Sequence, residues 1–239
     1  MTNVMKSILL IMAITITVSC SCNEEKVLVF SKTLGMRHAS IEPGLKAIKQ
    51  MGKENGFIVE ATEDSTYFKE KNLKQFATVI FLNTTLDVLD EQQQSEFERY
   101  IQSGGGFVGI HSATDTEYDW PWYNKLVGAY FNGHPRIQDA LLEVVDKKHL
   151  STDFLDDTWE KNDEWYNFKD IYSEINVLIE VDENSYEGGI HGEHHPISWY
   201  HEYDGGRSFY TEMGHTIATF ENQIFLKHLL GGIQYAMGK

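Results

Sequence analysis

Short apolar runs alternate with amphipathic stretches along the first half of the chain. Lys26–Phe30 (KVLVF), Phe57–Thr62 (FIVEAT), Ala77–Asn83 (ATVIFLN) and Phe107–Ile110 read as strands. Between the first two runs lies SIEPGLKAIKQMGKENG, where Ile41, Leu45, Ile48 and Gly52 fall at helical spacing and Asn55-Gly56 supplies a stop. Between the last two lies DEQQQSEFERYIQSGGG, Asp90–Gly106, with an acidic start, a glycine end, and Phe97 and Ile101 on one face. Strands alternating with helices imply parallel βαβ units. The expected fold class is therefore α/β, with a doubly wound parallel sheet flanked by helices.

The second half is less regular and richer in β signals. Leu141–Val145, Val177–Val181, Ile197–Tyr203 and Arg207–Thr211 read as strands, the last two joined by a hairpin turn at Asp204-Gly205-Gly206. Glu221–Met237 reads as a closing helix that buries Ile224, Phe225, Leu229, Gly232, Ile233 and Ala236. No repeat and no linker divides the chain, so residues 26–239 are expected to form one domain.

The amino terminus follows another pattern. Lys6 precedes an apolar run, Ile8–Val18, that is too short to span a bilayer as a helix. Ser19-Cys20-Ser21-Cys22 then follows. A basic residue, a short apolar core and small residues before a cysteine resemble a bacterial lipoprotein signal over residues 1–22. Cys20 is the expected acylation site, with Cys22 as the alternative, and the expected location is the cell envelope.

Charge and cysteine content narrow the chemistry. The formal net charge is -16 over 239 residues, which excludes the clustered basic surface that nucleic-acid binding needs. Cys20 and Cys22 are the only cysteines, so the domain has neither a thiol nucleophile nor a cysteine zinc site. No P-loop is present, and no Gly-x-Gly-x-x-Gly follows the first strand.

The candidate chemistry lies at the ends of strands, where open α/β sheets place ligands. In GGGFVGIHSATDT, His111 takes the position just past a buried strand, followed by Ser112, Thr114 and Asp115. A histidine there can move a proton or bind a metal. Ser112 lacks the Gly-x-Ser-x-Gly context of a nucleophile elbow. GGIHGEHHP places His191, Glu193, His194 and His195 in one glycine-rich loop, and His195 stands out beside Pro196. Arg37 and His38 follow the first strand, His134 lies in FNGHP, Glu164 in NDEWY, and His215 in MGHT. Trp120, Trp122, Tyr123, Trp165, Tyr166, Trp199, Tyr200 and Tyr210 offer flat faces of the kind sugars use, although core packing explains most such residues.

Taken together, VLVFSKTLGMRHASI, GGGFVGIHSATDT, FNGHP, DEWY, HPISWY and GRSFYTEMGH resemble the trehalose-utilisation, or ThuA-like, family, in family order and over nearly the whole chain after Lys26. The resemblance implies a flavodoxin-like fold of the class I glutamine amidotransferase-like type, with His111 standing where amidotransferases carry their cysteine. It implies a carbohydrate context, and it carries the family's recurrent polar positions onto His38, His111, His134, Glu164, His195, Arg207 and His215. The expected assignments are His111, Glu164 and His195 as catalytic groups. His38, Ser112, Trp199, Arg207, Tyr210 and His215 are expected to face the substrate. His111, His134 and His195 are expected ligands for a divalent metal, zinc or similar. Three functions fit: an enzyme acting on a disaccharide or an oxidised (keto) glycoside, a non-catalytic carbohydrate-binding lipoprotein, and a metallohydrolase of unrelated substrate. The expected partners are a sugar or glycoside and a membrane reached through the lipid anchor. If the strand readings hold, His38, His111 and His215 must converge on one crevice.

Overall fold

The computed structural model describes residues 24–239. The signal reading and both candidate lipidation cysteines lie outside the described residues. Among those described, no helix is long and apolar enough to cross a membrane.

The strands are β1 (Glu25–Phe30), β2 (Phe57–Thr62), β3 (Thr78–Leu82), β4 (Gly106–Ile110), β5 (Tyr130–Phe131), β6 (Gln138–Val144), β7 (Thr158–Asp163), β8 (Phe168–Lys169), β9 (Asn176–Val181), β10 (Pro196–Tyr203) and β11 (Gly206–Thr211). The helices are α1 (Ile41–Asn55), α2 (Glu70–Leu73), α3 (Glu91–Gln102), α4 (Pro121–Val127) and α5 (Gln223–Ala236). Nine strands form one sheet in the order β2-β1-β3-β4-β11-β10-β9-β6-β7. From β2 to β11 all pairings are parallel. From β11 to β7 all are antiparallel. The parallel half is the expected doubly wound unit. The β-rich second half extends the same sheet, and the expected hairpin joins β10 to β11 at Asp204-Gly205.

Alternating strand residues build a core on each face. Val27, Val29, Ile80, Leu82, Val108 and Ile110 pack with Ile41 and Ile48 of α1 and with Phe225, Leu229 and Ile233 of α5. Leu28, Phe30, Val79, Phe81 and Phe107 pack with Phe97 and Ile101 of α3 and Tyr123 and Leu126 of α4. Burial on both sides explains why these strands read as continuous apolar runs. At α3, Asp90 and Gln93 form a reciprocal capping box. The closing helix differs from expectation at Ile224, which is 44% exposed because it occupies the first turn, turned away from the core. β7 and α4 were not anticipated: β7 alternates exposed and buried residues through charged positions (TWEKND), and α4 is a short segment entered through Pro121.

Candidate active site

The carboxyl ends of the parallel strands deliver four segments to one crevice. The loop after β1 carries His38, the turn after β4 carries His111, and the loop after β11 carries Glu212, Gly214 and His215. Asn83 follows β3 and donates to Ser40 Oγ at 2.9 Å and to the Gly214 carbonyl at 3.2 Å, tying three of these loops together. Glu164 comes from the segment after β7, at the far edge of the sheet. Asp163 fixes that segment: its carboxylate accepts the backbone N–H groups of Gly214 at 3.1 Å and His215 at 3.2 Å and the Thr219 hydroxyl at 2.7 Å. Gly214 has φ 135°, a conformation that suits glycine, and an added Cβ would stand 3.0 Å from Ile110.

His111 is fully buried and has a left-handed backbone, φ 50°. That costs a side-chain-bearing residue roughly 1–2 kcal/mol. The turn is held by the Tyr210 hydroxyl, which donates to the His111 carbonyl at 2.8 Å. His111 Nδ1 lies 2.7 Å from the Glu212 carbonyl, which can only accept, so Nδ1 carries the proton and Nε2 presents a lone pair. Three groups surround Nε2: the Tyr166 hydroxyl at 2.9 Å, His215 Nδ1 at 3.2 Å and Glu164 Oε2 at 3.5 Å. Glu164 Oε2 is also 3.0 Å from His215 Nδ1, and Glu164 Oε1 is 3.1 Å from His134 Nδ1. His38 closes the group, its ring 4.9 Å from His111 and 5.1 Å from His215.

The electrostatics follow from this packing. Burial would raise the Glu164 carboxyl, but the adjoining imidazoles of His111 and His215 outweigh it and hold the group well below the usual carboxylate range. The hydrogen bond to Glu164 raises His215, against a smaller opposing effect of burial. Burial, reinforced by the neighbouring imidazoles of His111 and His215, lowers His38 to about 3, so it is a neutral ligand-type histidine. Behind His111, burial and the nearby Asp163 raise Glu212 far above the carboxylate range. Its Oε1 accepts from the Tyr166 N–H at 3.2 Å and its Oε2 has no partner. Burial also keeps the Tyr166 phenol protonated.

His38, His111, Glu164 and His215 each offer one ligand atom, and those atoms lie within 4.8 Å of one another. Tetrahedral coordination at zinc-like bond lengths sets ligand atoms about 3.3 Å apart. The separations of 3.0, 3.2 and 3.5 Å among His215, Glu164 and His111 match that spacing. The Nδ1–H to carbonyl bond of His111 is the arrangement that orients metal-binding imidazoles. Three imidazoles and a carboxylate can hold a divalent transition ion.

The other expected residues fall elsewhere. His134 lies at the rim, 40% exposed, in contact with Glu164 but outside the four-residue group. His195 is outside it as well, because both ring nitrogens are used within the fold. Nδ1 meets Glu183 at 2.8 Å, and Nε2 donates to the Tyr166 carbonyl at 2.8 Å. Ser112 is buried, its hydroxyl 3.5 Å from His38 Nδ1. Trp199 and Tyr210 are fully buried and stacked on each other, and Trp199 donates to the Val127 carbonyl, so neither presents a face to a ligand. Arg207 pairs with Gly106 at the amino end of β4, the opposite edge of the sheet. His111 and His215 do converge with His38, as the strand order requires. Sequence reasoning missed Tyr166, Asp163 and Glu212 as site residues. Only the polar cluster around Glu164 in NDEWY signalled the first two.

A model of the family described as trehalose utilisation, ThuA, matches residues 26–236. The chain belongs to the ThuA family. That membership supports a carbohydrate-utilisation role. Solved structures agree on the fold. A ThuA-like protein of Bacteroides uniformis superposes with a TM-score of 0.77 at 24% identity, covering 89% of this chain and 91% of that one. A ThuA-like protein of Parabacteroides merdae gives 0.74 at 21% identity, covering 90% of each chain. A β-galactosidase of Bacillus circulans gives 0.58 at 12% identity, with 90% of this chain matching 30% of the larger one. No curated protein matches the sequence. The ThuA fold thus sets His111 on a strand-end turn, and the His/Glu group is built around it.

Proposed function

We propose that this ThuA protein is an enzyme that acts on a glycoside whose sugar ring has been oxidised to a ketone. It removes the proton beside the carbonyl and expels the glycosidic oxygen, and water adds later to the double bond. The observation that carries the reading is the convergence of His38, His111, Glu164 and His215 from four separate segments in a carbohydrate-utilisation family.

The character of the crevice favours a ketone over direct hydrolysis. Ordinary glycoside hydrolysis builds positive charge on the sugar and uses two facing carboxyl groups. Here Glu164 already engages His111, His134 and His215, and Glu212 is a neutral acid behind His111. The remaining groups are imidazoles and a phenol, which suit an oxygen gaining negative charge. A divalent cation held by the four residues would polarise that oxygen as a Lewis acid.

His134 is the proposed base. Its Nδ1 faces the Pro135 carbonyl at 2.8 Å and Glu164 Oε1 at 3.1 Å, which leaves Nε2 as the proton acceptor on a partly exposed ring. The proton that His134 takes up is then available to the departing oxygen. Lipidation at Cys20, with Cys22 as the alternative, and a place in the bacterial cell envelope belong to the same proposal, on the strength of the Ile8–Val18 pattern.

The test is metal analysis of the purified protein, followed by assay of a keto-glycoside against its unoxidised parent. Turnover confined to the ketone is expected. Equal turnover of the parent would point to a plain metallohydrolase, and binding of both without turnover to a carbohydrate-binding protein.

A further inference from the structure

We propose that Tyr166 is a catalytic residue whose hydroxyl donates a hydrogen bond to the substrate oxygen that becomes negatively charged. The inference rests on the keto-glycoside reading and adds a donor to it.

Tyr166 is fixed on every side. Its N–H donates to Glu212 Oε1 at 3.2 Å, and its carbonyl accepts from His195 Nε2 at 2.8 Å. His195 is itself clamped, with Nδ1 2.8 Å from Glu183 Oε1 and 3.0 Å from the Tyr186 hydroxyl. The Tyr166 ring packs against His111 and Phe131, each 4.3 Å away between ring centres. Only the hydroxyl is uncommitted to the fold. Its partner is His111 Nε2 at 2.9 Å.

That bond has a consequence. His111 Nδ1–H is committed to the Glu212 carbonyl, so Nε2 has one lone pair. The lone pair cannot serve both the phenol and a cation. Occupation of His111 by a cation therefore leaves a rigid O–H donor without a partner in the same crevice. A carbonyl oxygen of the substrate is the acceptor it fits.

In the reaction, the base takes the proton from the carbon beside the carbonyl. The C–H electron pair forms a C=C bond to the carbonyl carbon, and the carbonyl π pair moves onto oxygen. Tyr166 donates to that oxygen without giving up its proton. Collapse re-forms the carbonyl and places the double bond at the anomeric carbon. The glycosidic oxygen leaves with its bonding pair and takes up a proton. A donor positioned before the charge appears needs no reorganisation when it forms.

The test is Tyr166→Phe, which keeps the ring and removes the donor. With a keto-glycoside substrate, kcat should fall by about a hundred- to a thousand-fold, the loss seen on removing one oxyanion donor, while KM changes little. Zinc or manganese affinity, measured alone by competition with a chromophoric chelator, should be unchanged or tighter, because a competitor for His111 Nε2 has gone. A variant with wild-type kcat would overturn the proposal. So would weakened metal affinity, which would make the phenol a ligand. Wild-type protein inactive on keto-glycosides would remove the underlying reading, and the inference with it; that control separates the two failures.

Discussion

Replacing Glu164 by Gln isolates the charge at the centre of the site. The substitution preserves shape and one carbonyl acceptor but removes the anion facing His215 at 3.0 Å. A hydrogen bond to a charged group contributes about 1.5–3 kcal/mol and a neutral one about 0.5–1.5, so the metal-free protein should lose about 1–2 kcal/mol. In a domain of this size that lowers the thermal midpoint by about 2–8 °C. The loss must depend on pH. His215 is raised in the folded state, so its contribution is full below its unfolded pKa of 6.5 and is lost as pH rises through the folded value. Glu164 is lowered, so its contribution is full above the unfolded value of 4.5 and is lost as pH falls through the folded value. The window for both therefore lies between these two unfolded values, 4.5 and 6.5. Thermal melts of chelator-treated wild-type and Glu164→Gln protein should differ most at about pH 5.5 and converge at about pH 9. Equal differences at both pH values would assign the loss to packing and refute the ion-pair reasoning. The same variant should bind zinc at least about ten- to a hundred-fold more weakly, the loss typical of groups that orient a metal ligand.

Arg207→Met should leave metal affinity and turnover within about twofold of wild type, because Arg207 sits beside Gly106 at the opposite sheet edge, about 13 Å of strand away from Ile110; a tenfold loss of kcat/KM would place it in the substrate path after all. Changing both Cys20 and Cys22 to Ser should move the protein from the membrane fraction to the soluble one, and an unchanged distribution would end the lipid-anchor proposal.

The parallel half of the fold was legible because its strands are buried on both faces and its helices carry plain amphipathic stripes and stop signals. His38, His111 and His215 were legible as one site for the same reason: each follows a strand whose direction the pattern fixes. Glu164 was identifiable as a polar point in NDEWY, but the edge strand that leads into it was not, since its charged residues hide the alternation. Arg207 and Trp199 show the limit of residue type as a guide. Arg207 begins its strand, while His215 follows the end of the same one, so one chain segment serves opposite edges. Trp199 looks like a sugar platform in sequence, yet its indole N–H is spent on Val127 in the core. Tyr166 was the reverse case. Only its place beside Glu164 in NDEWY sets it apart from the other tyrosines, and its role depends on His195 and Glu212 meeting its backbone from distant segments.

The central proposal is that a proton is taken from the carbon beside a ring carbonyl, and deuterium tests it most directly. The metal-loaded protein is incubated with a keto-glycoside in D2O, with a metal-free sample and a His134→Ala sample as controls. Mass spectrometry should find one deuterium at that carbon in the released sugar, formed at a rate that collapses in both controls. Release of the sugar at full rate with only hydrogen at that carbon would contradict the elimination chemistry and leave simple hydrolysis in its place.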